Sequence, residues 1–285
     1  MRTAVLICRR LGRTLLLLAL VAVGTILLMR FAPGYFSDSR EMDAKYAQRE
    51  QTELHREEAT SGTFRQLAAS TLGGWLHGDL GSSRQYGVPV MELVRPRLRV
   101  TALLLVRGVA FGWLLALCTA FPLSLWRNAS TLAGVPFTVL LAIPTGAMAT
   151  LCLLADMGGP VLVLSLLLAA RDFKFLQRLF NSAWTAPHLL QARAQGVRFN
   201  RLAAAHLLPN VAPQILGLAT LSIVTALSAI VPIEVIFDVP GLGQLAWSAA
   251  MNRDLPVLLT ITLLMAAAVS CAGMIASRER MVQTA

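Results

Sequence analysis

Apolar runs long enough to cross a bilayer recur along this chain, and that feature limits what it can fold into. They lie at Thr14–Met29, about Arg99–Leu125, about Leu132–Ala155, from Pro160 onward, at Val211–Phe237 and at about Leu255–Ala276. Crossing a hydrocarbon core about 30 Å thick at 1.5 Å per residue takes about 20 residues. Lipid offers no partner for bare backbone N–H and C=O groups, so each run must be helical. The run from Pro160 stops being apolar at Ala170, too early for a span. Its helix must continue through Arg171 and Phe173 to Phe180, with the basic end at an interface. The expected fold class is an all-α membrane protein with six transmembrane helices. Charged residues are 14% of the chain, against about 25% in an ordinary soluble domain, so a single water-soluble core is the wrong picture.

The net charge of +10 is distributed around the runs rather than along one patch. If the termini lie inside, the internal segments hold thirteen Lys/Arg and only two acids, Asp172 and Glu279, while the short external loops hold one, Arg253. That is the positive-inside pattern, and it argues against nucleic acid as a partner. Both termini are therefore expected on the cytoplasmic side and residues 32–98 outside. Arg2, Arg9, Arg10 and Arg13 ahead of Thr14–Met29 look like a signal peptide, but no clear small-x-small cleavage site follows. The reading is an uncleaved first span. The organisation is then 1–31, an N-terminal span; 32–98, an external segment; and 99–285, a five-span core with a cytoplasmic loop at 182–210.

Most other features have plain readings. Glu41–Glu58 is dense in charge and reads as a solvated helix. Gly78-Asp79-Leu80-Gly81-Ser82-Ser83 lacks the G-K-[ST] ending of a phosphate loop and reads as a turn. Arg107 would cost roughly 2.5–3.5 kcal/mol at a span centre, and is expected near one end, where it can snorkel. Pro144-Thr145-Gly146 interrupts the third span, and Asp156–Gly159 reads as a tight turn. Cys8, Cys118, Cys152 and Cys271 stand singly, as do His55, His77, His188 and His206, so no metal site is expected. Ser222, Thr225 and Ser228 recur at i, i+3, i+6, followed by Pro232. They suit either close helix packing or the wall of a polar pathway. Glu234 is the one acid well inside an apolar segment and has no obvious base partner, so a membrane-embedded enzyme is not expected. No G-x-x-x-x-G-K-[ST] occurs, so this chain is not expected to hydrolyse ATP.

The most informative stretch is Gln191–Asn210, a polar, basic insertion between two apolar runs. Pro187 suits a first helical turn and Gly196 the position just past a helix end. Asn200 can cap a second short helix over Arg201–Leu208, which Pro209 ends or leads into the next segment. Two short helices would then form a platform able to dock a soluble partner. Ala192 and Ala194 would allow close approach, and Arg193, Arg198 and Arg201 make it basic.

Four ordered segments resemble one family. They are Arg9-Arg10-Leu11 with Leu28–Gly34; Gly78–Ser82 with Val88-Pro89-Val90 and Leu98; Ala192–Val197 with His206-Leu207-Leu208-Pro209-Asn210; and Glu234–Phe237 with Pro240-Gly241-Leu242-Gly243 and Asn252–Val257. Together they resemble the inner-membrane permease subunit of bacterial peptide-type ABC importers, the dipeptide, oligopeptide and nickel permeases, and specifically the first of the two paired permeases. The resemblance implies that Ala192, Arg193, Ala194, Gly196, Val197, Arg198, Leu208 and Pro209 couple to an ATPase. It implies coupling helices between spans four and five, and an external-loop role for Pro240, Gly241, Leu242 and Gly243. It implies a second homologous permease, two ATPase subunits or domains that carry ATP and magnesium, an external solute-binding protein, and location in the bacterial inner membrane. Two departures stand out. Pro187-His188-Leu189 replaces an acidic residue and an aromatic, and the connection between spans three and four is short. The substrate class is therefore left open. The alternative is a transport-inactive assembly or regulatory protein that keeps the permease fold.

Overall fold

The computed structural model describes residues 2–31, 73–74, 80–125, 129–252 and 254–282. The charged stretch Glu41–Glu58 lies outside the described residues. The elements are helices throughout: α1 (Arg2–Phe31), α2 (Val90–Leu125), α3 (Ala129–Ala142), α4 (Thr145–Leu154), α5 (Pro160–Trp184), α6 (Pro187–Ala194), α7 (Phe199–Leu202), a π turn (Ala203–Leu207), α8 (Leu208–Ile236), α9 (Leu242–Met251) and α10 (Leu255–Val282). One isolated antiparallel bridge joins Ser82 to Pro89. Among the described residues, three helices are long and apolar enough to cross a membrane: Val90–Leu125, Phe199–Ile236 and Leu255–Met274. A fourth crossing exists if Gly134–Ala142 and Thr145–Leu154 count as one broken span.

The helices refine several expectations. The helix that carries the second span starts ahead of Arg99: α2 begins at Val90 and runs for 36 residues. At 1.5 Å per residue that is about 54 Å, well beyond a core of about 30 Å. Val90–Leu98 is therefore helical, and a helix of this length extends past the core. Arg107 lies near the midpoint of α2 and is exposed. The third span is interrupted at Pro144-Thr145-Gly146, as expected. It breaks between Ala142 and Thr145 with a bend of 101°. Pro144 explains the break, because it has no N–H to donate to the preceding turn and its ring crowds that turn. The 238–254 segment is not only loop, since it contains α9.

The chain divides into two compact units, Met1–Val100 with Pro240–Ala268, and Thr101–Val239 with Val269–Ala285. In the first, Val90 and Val94 pack with Leu242, Leu245, Ala249, Val257 and Ile261. Ala22 of α1 packs separately with Leu259 and Leu263.

In the second unit α2 presents a buried residue at every fourth position: Leu104, Gly108, Gly112, Ala116, Ala120 and Ser124. A Cβ on Gly108 would lie 2.5 Å from Leu164 Cδ2, and one on Gly112 would lie 3.0 Å from the backbone oxygen of Ser165. The helices approach that closely because those side chains are absent, which is how membrane helices gain packing without a hydrophobic drive between them. α5 is covered on its other sides by α3, α4 and α8. Phe137 and Phe173 stack at 4.0 Å between ring centroids across the α3 contact.

Gly112→Leu is expected to force α2 off α5 and destabilise the protein by about 1–3 kcal/mol. Thermal unfolding in mild detergent should show a clear loss of melting temperature, while Gly217→Leu, where a Cβ meets nothing within 4 Å, should not.

Candidate functional site

The stretch between α5 and α8 is built on an aromatic support. Trp184, the last residue of α5, donates its Nε1–H to Ser124 Oγ at 3.1 Å. Its ring stacks on Phe199 with centroids 5.7 Å apart, and Phe121 lies 6.4 Å away. Phe121 meets Phe180 edge to face at 5.6 Å. Such pairs add about 0.5–1.5 kcal/mol each beyond burial. Beneath them Leu189, Ala192, Leu202, Leu207 and Val211 join Phe173, Leu176 and Phe180 in one core. Trp184 and Phe199 were not singled out from sequence, although a Trp beside the basic stretch was visible there.

Gly196 ends α6 as expected. Its φ is +77°, the left-handed region. Gly196 N–H bonds the Arg193 carbonyl at 3.1 Å and Val197 N–H bonds the Ala192 carbonyl at 3.3 Å. This pair of bonds closes the helix end, and Val197 packs on the core beside Ala192, the apolar contact that accompanies such a cap.

The second half of the stretch differs from expectation. No separate short helix runs over Arg201–Leu208, and of the two readings of Pro209 the lead into the next segment is the one that holds. The helix begins at Phe199 with Arg198 at its N-cap, and Asn200 does not cap it. It then passes through the π turn into α8, so that Phe199–Ile236 is one helix of 38 residues. The π turn absorbs Pro209, which cannot donate to the preceding turn: Leu208 N–H reaches back to the Ala203 carbonyl instead. The platform is thus α6 plus the cantilevered start of a long helix.

Exposure sorts the residues of this stretch. Arg193, Ala194, Gly196, Arg198, Leu208 and Pro209 are exposed, as is Arg201. Ala192 is buried and Val197 half-buried, so both serve the support rather than an outer face. Large apolar side chains also remain outside: Leu190 is 52% exposed and Phe199 46%.

Ser222, Thr225 and Ser228 do not form one stripe. Ser222 is fully buried and donates to Asp172 Oδ2 at 2.7 Å. Thr225 is half-buried and donates to the Leu221 carbonyl at 2.9 Å, and the exposed Ser228 donates to the Val224 carbonyl at 3.0 Å. At 100° per residue the three fan across 120° of the helix, which is why only the first reaches the interior. Packing therefore accounts for Ser222. Asp172 corrects a second expectation, because Glu234 is not the only acid in an apolar setting. Asp172 sits within α5, fully buried, with Oδ1 lacking any hydrogen-bond partner. Arg171 Nη1 donates to the Leu221 carbonyl at 3.2 Å, and Lys174 Nζ donates to Thr138 Oγ1. One charged turn of α5 thereby ties α8 on one side and α3 on the other. Glu234 is buried too and accepts a bond from Thr101 Oγ1 at 2.6 Å.

In the first unit a second polar cluster forms. Asp254 is fully buried. Its Oδ2 accepts from Ser83 Oγ and, at 3.3 Å, from Gln85 N–H. Ser83 Oγ accepts in turn from Tyr86 N–H at 3.0 Å. The turn that carries them uses Gly81 and Gly87 at φ +76° and +67°. Of the Pro240–Gly243 motif, Pro240 is exposed, while Gly241, Leu242 and Gly243 are buried. Gly241 is the N-cap of α9 and Leu242 belongs to the core.

Residues 100–278 match the family of binding-protein-dependent transport system inner membrane components. The chain is 27% identical to the oligopeptide transport system permease protein AppB of Bacillus subtilis, over 96% of each chain. It is 29% identical to a putative peptide permease protein of Brucella ovis, over 70% of this chain and 72% of that one. It is 24% identical to the glutathione transport system permease protein GsiC of Pectobacterium atrosepticum, over 86% and 85%.

Ser222→Ala removes the hydrogen-bond donor to buried Asp172 Oδ2 and is expected to destabilise the protein by roughly 1–3 kcal/mol. Ser228→Ala should change stability by less than about 0.5 kcal/mol, as for other surface changes. Parallel unfolding in detergent separates the two.

Proposed function

We infer the role of this chain from one premise: it belongs to the family of binding-protein-dependent transport system inner membrane components. It is a non-catalytic permease component of a peptide-type ABC transporter in the inner membrane, crossing it more than once. Beyond that, we propose six spans with both termini in the cytoplasm, arranged as a span at 1–31, an external segment at 32–98 and a core at 99–285. We further propose that it is the first of two paired permeases and forms half of the pathway for a peptide or similar small solute. Two ATPase subunits or domains hold ATP and magnesium, and an external solute-binding protein delivers the solute. Three relatives named as oligopeptide, peptide or glutathione permeases support this substrate class.

The observation that carries the coupling role is the build of the platform. α6 is closed by the Gly196 cap and held by the Trp184–Phe199 stack, and Arg193, Ala194, Gly196, Arg198, Leu208 and Pro209 remain outward. Ala192 and Val197 hold it to the core beneath. Force applied to such a platform passes into α8, because the helix is continuous from Phe199 through the π turn to Ile236. Nucleotide-driven closure of an ATPase would tilt α5 and α8 and switch the side to which the pathway opens.

Gly196→Pro tests this. Proline fixes φ near −65° and cannot adopt the left-handed cap. The variant should insert into the membrane normally and lose transport while ATP hydrolysis continues. Gly196→Ala, costing about 1–2 kcal/mol at that φ, should show a partial defect. Proteoliposomes assayed for both activities provide the readout, and undiminished coupled transport in the proline variant would refute the coupling role.

A further inference from the structure

Between Asp172 and Glu234 the sequence contains no aspartate or glutamate. That interval includes all of α6, α7 and the π turn, and it carries Arg193, Arg198 and Arg201 on exposed positions. Asp172, the acid nearest in sequence, is buried and bound to Ser222, so no carboxylate of this stretch can neutralise the three guanidinium groups. Leu190 and Phe199 stand exposed among them. An aromatic and a leucine inside an arginine rim is the composition of a protein interface, where Arg and Phe are enriched. A lipid-lying helix needs a broad outward apolar face. α6 lacks one, because Leu189 and Ala192 are spent on the core and Leu190 is its only large apolar residue facing out.

We propose that the ATPase surface receiving this platform is acidic, with Asp and Glu side chains ringing an apolar pocket that accepts Phe199. The inference rests on the coupling role above and adds the charge of the partner. A platform with three cations and no acid would attract an acidic groove and repel a basic one, so it also selects among ATPases.

The test uses the full chain co-expressed with its second permease and ATPase subunits, held in phosphatidylcholine nanodiscs. Photocrosslinking from p-benzoylphenylalanine at Phe199 reports what lies opposite. Retention of the ATPase is then measured in rising sodium chloride. The crosslink should reach the ATPase, and retention should weaken roughly tenfold between about 0.05 and 0.5 M salt as the Debye length shortens and screens the three charges. Replacing Arg193, Arg198 and Arg201 with Glu should abolish retention, and replacing the groove's acids with Lys should restore it. Exchange of the three for Gln, which adds no repulsion, should match the high-salt behaviour. Crosslinking to the ATPase with retention indifferent to salt and to charge reversal would overturn the acidic partner and leave the coupling role standing. Crosslinking to lipid alone, with or without phosphatidylglycerol in the disc, would overturn both.

Discussion

Two helix backbones lie against each other only where side chains are missing, and α2 keeps such a seam along its buried edge. Gly108 and Gly112 touch α5 where even a methyl group would collide with Leu164 or with the backbone at Ser165. In lipid, dispersion at close range and a few hydrogen bonds must do what water-driven burial does elsewhere. The seam continues through Ala116 and Ala120 to Ser124, where the small residue changes role and accepts the Trp184 N–H. Trp184 in turn stacks on Phe199. A single line of contacts therefore runs from the middle of α2 to the first turn of the 38-residue helix. Loosening the seam would shift the surface on which the proposed coupling depends.

The charged turn of α5 works in the same direction. Arg171, Asp172 and Lys174 each reach a neighbouring helix, α8 for the first two and α3 for the third. The bend at Pro144 and the π turn before Pro209 are the irregular places, and each sits where a proline removes a backbone donor.

The apolar runs and the glycine cap were legible because each follows from local chemistry: length of hydrophobic sequence, and the left-handed φ that Gly196 supplies. Pro209 left a stop and a lead into the next segment equally open, and the π turn that decides for the second has no sequence signature of its own. The charged start of α2, Arg95 to Arg99, looks like loop until the helix is seen to include it. Asp172 was hidden among its own charged neighbours, since burial depends on the tertiary contact with Ser222. The Gly108-x-x-x-Gly112 spacing was visible and would have located the α2 seam. Ala192 looked like an outward contact because alanine permits close approach on either face, and only packing decides which.

The proposed coupling role requires Gln195 to face the cytoplasm, while the proposed external segment 32–98 puts Arg84 outside. Single cysteines at Gln195 and at Arg84, in a background where Cys8, Cys118, Cys152 and Cys271 are serine, decide this with a membrane-impermeant maleimide. The account predicts that Gln195→Cys labels only in inside-out vesicles and Arg84→Cys only in right-side-out ones. Labelling of both from the same side would contradict it.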